Sequence, residues 1–444
     1  MPSRHRRTAC LAPAAIALAL TALPAGAQKP AGGLDARVDQ EAQRVAAQLV
    51  ELRHRIHQDP ELSNRETKTA ELVAAHLRAL GLEPRTGVAK TGVTALLKGG
   101  KPGPLIAVRA DMDALPVVEQ TDLPFKSTKK DNFLGQEVGV AHACGHDVHT
   151  TSLLGVASVL VAVQKDIPGS ILFIFQPAEE GPPPGEKGGA DLMLAEGAFA
   201  AGKPVAVFGL HSFPDLPVGQ VGFNPGPTMA AVDQFRITLK GKQAHGAYPH
   251  LAVDPVVMAA EAILALQTIR SRNVPALEPS VLTVGIVRGG ERFNIIPGEV
   301  HLEGTVRTYK QEVRDLIERR MREILDGVTR GGGGSFEMEY VRNAPATVND
   351  PDLARRVQPL LERIMGADNV KIVEPSMAGE DFAFFANQTP GFFYRLGVVA
   401  PGTTSGGLHT PTFRADDSAV PMGIRVMSRL LVDYLSSYGT QSPR

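Results

Sequence analysis

The chain has 444 residues, 46 of them basic and 47 acidic, for a formal net charge of −1. That length exceeds one compact domain, so two domains are expected. The balanced charge gives no electrostatic footprint for nucleic acid, and with no Trp and only 6 Tyr the chain lacks an aromatic platform on which bases or sugars would stack.

The first element is a targeting segment. A basic stretch, "SRHRR", precedes the apolar run "LAPAAIALALTALPAGA" and the small residues Ala25-Gly26-Ala27. Residues 1–27 read as a secretory signal peptide cleaved before Gln28, which predicts a periplasmic or secreted protein with no membrane attachment after cleavage. Cys10 leaves with that segment. Cys144 then stands alone, unable to form an intramolecular disulfide, and is either buried, paired between chains or held as a metal thiolate.

Residues 36–80 read as helical, with Val73, Leu77 and Leu80 on one face and Gly81 as a stop. Short apolar runs follow at 105–108, 171–175 and 205–208, typical of parallel strands covered on both faces. Between the first two lies "HACGHDVHTT" and then an apolar crossover helix, so an α/β domain with a mostly parallel sheet is expected. From Val232 the pattern changes to alternating strands. Asp254 and Pro255 start a helix, two strands follow, then a helix from about Gln311 to Val328, a glycine-rich turn and a last strand. The order β-α-β-β-α-β is that of a ferredoxin-like α+β unit. The expected division is a catalytic domain of 28–225 plus 343–444, with 226–342 inserted as a lid and dimerisation domain.

Polar residues gather at the ends of the apolar strands. Asp111 and Asp113 follow the first, Glu179 and Glu180 the second, His211 the third, and His409 follows the later run "GFFYRLGV". Ligands of open parallel sheets bind outside the carboxyl ends of the strands, so these residues are expected to converge. Thiolate, imidazole and carboxylate together suit zinc or a similar divalent ion. Five donors (Cys144, His146, Glu180, His211 and His409) exceed the usual three of one catalytic ion and suit two ions about 4 Å apart sharing a ligand. Any one of these histidines alone would read as an ordinary hydrogen-bonded residue. Neighbouring side chains at a strand end diverge, so Glu180 can ligate while Glu179 stays free as a general base and then an acid.

The motifs "RADMDALP", "HACGHDVHTT", "FQPAEEG", "GLHSFPDLPVG", "QAHGAYPH", "RFNIIPGEVHLEGTVRT", "SMAGEDFAFF" and "LHTPTFRADD", taken in order, resemble a metal-dependent amidohydrolase and aminoacylase-like metallopeptidase family. It is the family of hippurate hydrolase, indole-acetyl-amino-acid hydrolases and N-acetyl-diaminopimelate deacetylase. The resemblance covers nearly the whole mature chain. It implies Cys144, His146, Glu180, His211 and His409 as metal ligands, Glu179 as the acid/base, and Asp113 as the partner that orients a ligand histidine. It also implies a homodimer and two divalent ions, zinc or manganese, with cobalt or nickel as alternatives. His245 matches a histidine placed over the scissile carbonyl, in its own site or a partner's. Asn294 and Arg307 match polar substrate-facing positions, and Arg307 could pair with a substrate carboxylate. Gly379, Glu380 and Asp381 read as loop support for the site. Asp111 stands where distant carboxypeptidase relatives carry a metal-binding histidine, so its role stays open. Asp147 is expected to cap the following helix or orient a ligand, with His142 behind the site and His149 facing inward without binding metal.

The expected activity is hydrolysis of N-acyl-amino acids to a carboxylic acid and an amino acid, the alternative being a dipeptidase or carboxypeptidase using the same site. A cysteine hydrolase with Cys144 as nucleophile would leave the carboxylates and other histidines unexplained. A metal- or solute-binding protein would need no free carboxylate at Glu179.

Overall fold

The apolar runs at 105–108, 171–175 and 205–208 lie side by side as neighbouring strands in the computed structural model, which describes residues 33–438. The signal peptide expected at 1–27 falls outside the described residues. In chain order, α1 (Leu34–Gln58) and α2 (Thr67–Ala79) precede β1 (Arg85–Val88), β2 (Gly92–Lys98) and β3 (Lys101–Asp111). A hairpin of β4 (Lys130–Phe133) and β5 (Gln136–Gly139) leads to α3 (His146–Ala162) and β6 (Pro168–Gln176). Then come α4 (Gly189–Ala195), β7 (Val207–Pro217), β8 (Val221–Phe223) and β9 (Pro227–Met229). The next unit holds β10 (Ala231–Lys240), β11 (Ala244–His245), α5 (Pro255–Thr268), β12 (Ser280–Arg288) and β13 (Ile295–Ile296). It ends with β14 (Glu299–Thr308), α6 (Gln311–Gly331) and β15 (Ser335–Ala344). The chain closes with β16 (Thr347–Val348), α7 (Pro351–Met365), β17 (Val370–Ile372), α8 (Phe382–Gln388), β18 (Gly391–Val399) and α9 (Ala419–Ser437).

The large sheet has the order β1-β2-β6-β3-β7-β18-β8-β17, and its central strands β6, β3, β7 and β18 are all parallel. Strand side chains alternate between faces. Ile106, Val108, Phe173 and Phe208 therefore pack into the core shared with α1, α3 and α9, while Ala107, Leu172, Ile174 and Val207 pack on the opposite face with α4 and α8. Burial on both faces is why these strands read as unbroken apolar runs. Helix α3 is buried along Val148 to Leu160, as a crossover between the sheet and α1 and α9 must be.

The second unit is an antiparallel sheet of order β12-β14-β10-β15, the strand order of a ferredoxin-like fold. Phe235, Ile237 and Leu239 on one face of β10 pack with α5 and α6 in a separate core. Asp254 caps α5 by accepting from Val256 N at 2.8 Å, with Pro255 next, as the sequence led one to expect. Entry and exit lie together, because β9 pairs with β16 through Thr347 and Met229.

The helical span read over 36–80 is two helices. Asp59 and Pro60 break it, since the residue before proline is driven from helical geometry. The connector 59–66 turns inward, with Glu61, Ser63, Asn64 and Glu66 all buried.

Helix α1 also fixes the start of α3. Arg53 and His57, one turn apart, reach Asp147 Oδ2 at 2.8 and 3.0 Å, and His57 Nε2 lies 3.1 Å from Glu119. This corrects the expectation for Asp147. The cap position belongs to Gly145, without a side-chain cap bond, and Asp147 is the anchor for two cations from α1. Burial alone would lower the His57 pKa, but Asp147 and then Glu119 raise it to about 9 from 6.5. A raised folded-state value means the stabilisation is complete below about pH 6.5 and lost as pH rises through about 9. Global stability from denaturant unfolding is expected to fall by up to about 3 kcal/mol across that window in wild type. The His57→Gln variant should lose that part of the slope.

Candidate metal centre and active site

The C-terminal edge of the parallel sheet gathers the donors. Asp111 ends β3 opposite Gln176, the last residue of β6. Strand β7 runs on to Pro217, so His211 sits within a strand rather than after one, yet still two residues beyond Gly209, which pairs with Arg109 of β3. His211 is thus level with the end of β3. Cys144 and His146 flank Gly145, whose φ of 83° is left-handed. A Cβ there would lie 2.8 Å from Ser212 Cβ, so glycine lets the start of α3 press against β7. His409, also left-handed at φ 62°, is brought in by its N–H donating to Ala143 O at 2.8 Å.

Cys144 Sγ lies 3.4 Å from His211 Nε2 and 3.3 Å from His409 Nε2. His409 Nε2 is 3.1 Å from Glu180 Oε1, and His146 Nε2 is 3.8 Å from the same oxygen. Two donor triplets result, Cys144–His146–His211 and Cys144–Glu180–His409, each with its atoms within 4.8 Å of one another. They share only Cys144.

The ring nitrogens not facing this space are engaged elsewhere. His146 Nδ1 faces Asp113 Oδ1 at 3.2 Å, and His211 Nδ1 faces Ser212 O at 2.8 Å. Each ring therefore presents Nε2 inward, and His146 Nε2 is buried without a hydrogen-bond partner, while Glu180 Oε1 has His409 Nε2 at 3.1 Å. A buried ring nitrogen left unpaired in a thiol, imidazole and carboxylate cage fits divalent metal ions. His149 has no such capacity. Its Nδ1 meets Asp111 Oδ1 at 2.6 Å, and its Nε2 accepts from Ser212 N at 2.7 Å. Asp111 is likewise hydrogen-bonded, to His149 and through Oδ2 to Arg109 Nη1 at 2.6 Å.

The electrostatics ask for positive charge. Burial pushes the Cys144 thiol up, and Glu180, Glu179 and Asp111 push it further. A thiolate here needs a cation beside it. Burial would lower His146, but Asp111, Asp113 and Glu180 raise it to about 10. His211 is depressed by burial and by His149, which keeps it neutral and able to ligate. Glu179 is held well above the usual carboxylate range by burial and then by Glu380, Glu180 and Asp381, with Arg109 opposing. Arg109 is fully buried and bonded to Gln176, Asp111, Glu380 and Asp381. Asp381 N points to Glu179 Oε1 at 3.4 Å. The loop 379–381 therefore reaches the free carboxylate itself.

The inserted unit holds the other three candidates. His245 on β11 is exposed, its Nδ1 accepting from Ala247 N at 3.0 Å. No hydrogen bond, ion pair or ring contact joins it to the cluster among the described residues. The β11–β13 pairing sets it beside Asn294, whose carbonyl accepts from Gly246 N at 2.8 Å and whose side-chain oxygen is buried and unpaired. Arg307 on β14 is half-buried and makes no hydrogen bond or ion pair among the described residues. It lines a cavity of about 360 Å³ with Gln234, Thr283, Glu303, Thr305 and Asn343. Its Nη1 would lie 3.7 Å from a Cβ on Gly379, in the loop 379–381.

Three contributors were not visible in the sequence. Ser63 Oγ donates to Asp113 Oδ2 at 2.7 Å, Glu66 accepts from Ala178 N at 2.8 Å, and Arg109 ties the acidic loop to the strand end. A proline inside a helical pattern was the one available signal for the first two. His142, with both ring nitrogens buried and unpaired, is pushed by burial to a pKa of about 3.

Comparison with known proteins agrees with this geometry. Residues 107–433 match the profile of Peptidase family M20/M25/M40. N-acetylcysteine deacetylase of Bacillus subtilis (strain 168) is 37% identical over 393 residues, covering 88% of this chain and 97% of that protein. Thermostable carboxypeptidase 1 of Saccharolobus solfataricus is 35% identical, covering 87% of this chain and 95% of that protein. The crystal structure of the Bacillus subtilis YXEP protein, described as a dinuclear metal binding peptidase from the M20 family, superposes with a TM-score of 0.75 at 34% identity. It covers 89% of this chain and 99% of its own. The chain belongs to Peptidase family M20/M25/M40 and is a metal-dependent amidohydrolase of that family.

Proposed function

We propose that this protein hydrolyses the amide bond of N-acyl-amino acids, releasing a carboxylic acid and a free amino acid. The observation that carries the reading is the pair of donor triplets joined at Cys144, with the Glu179 carboxylate beside them, its Oε2 3.9 Å from His146 Nε2. Cys144, His146, Glu180, His211 and His409 would hold two divalent ions, zinc or manganese, with cobalt or nickel as alternatives. Bound there, such ions supply Lewis-acid polarisation of the amide carbonyl and make water more acidic.

The chain's own residues do the rest. Glu179 takes a proton from the attacking water and delivers it to the departing nitrogen. Its burial among Glu380, Glu180 and Asp381 raises its hold on that proton. Asp113 keeps His146 in the tautomer that presents Nε2, and its two oxygens accept from Glu179 N and Glu180 N at 3.1 Å each. Arg307, unpaired near Gly379, would take the α-carboxylate of the amino-acid half. His245 and Asn294 would act on the carbonyl oxygen from a second copy of the chain, in a homodimer joined through the inserted unit. Residues 1–27 would direct the protein to the periplasm or outside the cell.

Three measurements test this reading. The metal-loaded enzyme should cleave hippurate and N-acetyl-amino acids, whereas preference for unblocked dipeptides would move the assignment to the peptidase alternative. Glu179→Gln should lose about 10³-fold or more in kcat while retaining its metal by elemental analysis. Near wild-type turnover would remove Glu179 from the acid/base role. Mixing inactive Glu179→Gln and His245→Ala proteins should regenerate up to about a quarter of wild-type activity through hybrid dimers, one intact site per hybrid. No recovery after verified subunit exchange would place His245 in its own subunit's site.

A further inference from the structure

We infer that Glu66, at the start of α2, is a positioning residue for the Glu179 carboxylate, acting through the backbone of Ala178. The inference rests on the reading of Glu179 as acid/base. Ala178 precedes the glutamate pair with φ at 53°, in the left-handed region that a residue with a Cβ adopts only when its surroundings compel it. Its N–H donates to Glu66 Oε1 at 2.8 Å. That oxygen also accepts from Asn64 N at 3.0 Å, and Glu66 Oε2 accepts from Thr91 Oγ1 at 2.6 Å. Glu66 is fully buried, so its carboxylate is a fixed point rather than a mobile side chain.

The next two amides complete the arrangement, Glu179 N and Glu180 N donating to the two oxygens of Asp113. Three consecutive N–H groups are thus held by two buried carboxylates from separate parts of the chain. Asp113 has a second task, since it also faces His146 Nδ1. Among the described residues Glu66 makes no hydrogen bond or ion pair with any of the five proposed ligands; its hydrogen bond into the turn that carries Glu179 is the one to Ala178 N, and its charge also bears on Asp113. The turn it holds sets where the Glu179 carboxylate stands, with Oε2 3.9 Å from His146 Nε2 and Oε1 3.4 Å from Asp381 N. Released from Glu66, Ala178 would relax towards ordinary φ values and swing that carboxylate from the bond it serves.

The experiment compares kcat, KM, bound metal and thermal stability of full-length, metal-loaded variants on an N-acyl-amino acid. Glu66→Ala is expected to lower kcat between about tenfold and a hundredfold, with KM within about threefold and metal content unchanged. Glu66→Gln, whose amide oxygen still accepts from Ala178 and whose amide nitrogen can donate to Thr91, should recover most of that loss. Adding Ala178→Gly to Glu66→Ala should recover about fivefold, because glycine occupies the left-handed region without strain. A merely structural role would not be relieved by that glycine. If Glu66→Ala does not fold, Thr91→Val, which frees one Glu66 oxygen, should lower kcat about threefold with metal unchanged. Wild-type kcat in Glu66→Ala, or in Thr91→Val where that is the variant measured, overturns the inference. So does a fall in kcat that tracks metal loss, or a loss that neither Glu66→Gln nor Ala178→Gly relieves. Glu179→Gln, run in parallel, separates the two readings. If it is near wild type, the acid/base assignment fails. If it is inactive while Glu66→Ala is unimpaired, only the role of Glu66 fails.

Discussion

The Asp113 carboxylate is the point on which the site depends. Its Oδ1 faces His146 Nδ1 at 3.2 Å and Glu179 N at 3.1 Å, while its Oδ2 accepts from Glu180 N at 3.1 Å and Ser63 Oγ at 2.7 Å. One buried side chain therefore fixes the tautomer of one proposed ligand and the backbone of another. It also fixes the backbone of Glu179, the proposed acid/base. These contacts hold Asp113 below the usual carboxylate range despite burial, with His146 the main stabilising partner. Charge-assisted hydrogen bonds of this kind gain strength where water is excluded. Because the partners come from the 59–66 connector, the start of α3 and the turn after β6, the site cannot assemble until those three segments have packed.

The same neighbourhood has a charge problem that the fold solves in two ways. Asp111, Asp113, Glu179, Glu180, Glu380 and Asp381 crowd one edge of the sheet. Arg109, wholly buried on β3, answers Asp111, Glu380 and Asp381 directly. It does not bond Glu179 or Glu180. Burying like-signed carboxylates without cations raises their proton affinity, and Asp381 is accordingly lifted to about 7 by burial and Glu380, against Arg109. The division matters for chemistry. On the Arg109 side the carboxylates are tied down as scaffold. On the Cys144 side the unpaired His146 Nε2, with Glu180 facing no arginine, leaves the balance to be made by whatever cation the cage holds.

Much of this was legible in the sequence, for a specific physical reason. A parallel sheet buried on both faces writes its strands as apolar runs, and polar residues at the ends of such runs have few other places to go than the carboxyl edge. Glu180, His211 and His409 were singled out that way, Cys144 and His146 by the density of donors in "HACGHDVHTT", and the alternation in β10 gave away the second unit. The contacts that aim those residues were hidden. Asp113 acts on the amides of residues 179 and 180, and a backbone N–H carries no sequence signature. Glu66 and Ser63 lie in a connector that helical periodicity overran, because Pro60 fell inside an otherwise helical composition. Asp147 looked like a cap from its place beside His146. Only the packing of α1 against α3 shows that Arg53 and His57 claim it. His245 is a different case. Its residue type was readable, but its geometry within one chain faces solvent.

The inserted unit touches the loop beside Glu179 at Gly379. Gly379 has no Cβ, and one built there would fall 2.2 Å from Val232 Cγ2, so β10 can rest on this loop only because the position is glycine. Val232 pairs with Arg307 across β10 and β14. Two residues past Gly379, Asp381 turns its N–H to Glu179 and its Oδ1 to Arg109 and Gln176. A displacement of the β10–β14 edge would therefore be felt at the Glu179 carboxylate through the three loop residues 379–381 rather than through solvent. Interiors this dense transmit small shifts instead of absorbing them. The proposed substrate-binding Arg307 on one unit and the proposed acid/base Glu179 on the other are therefore linked through this loop.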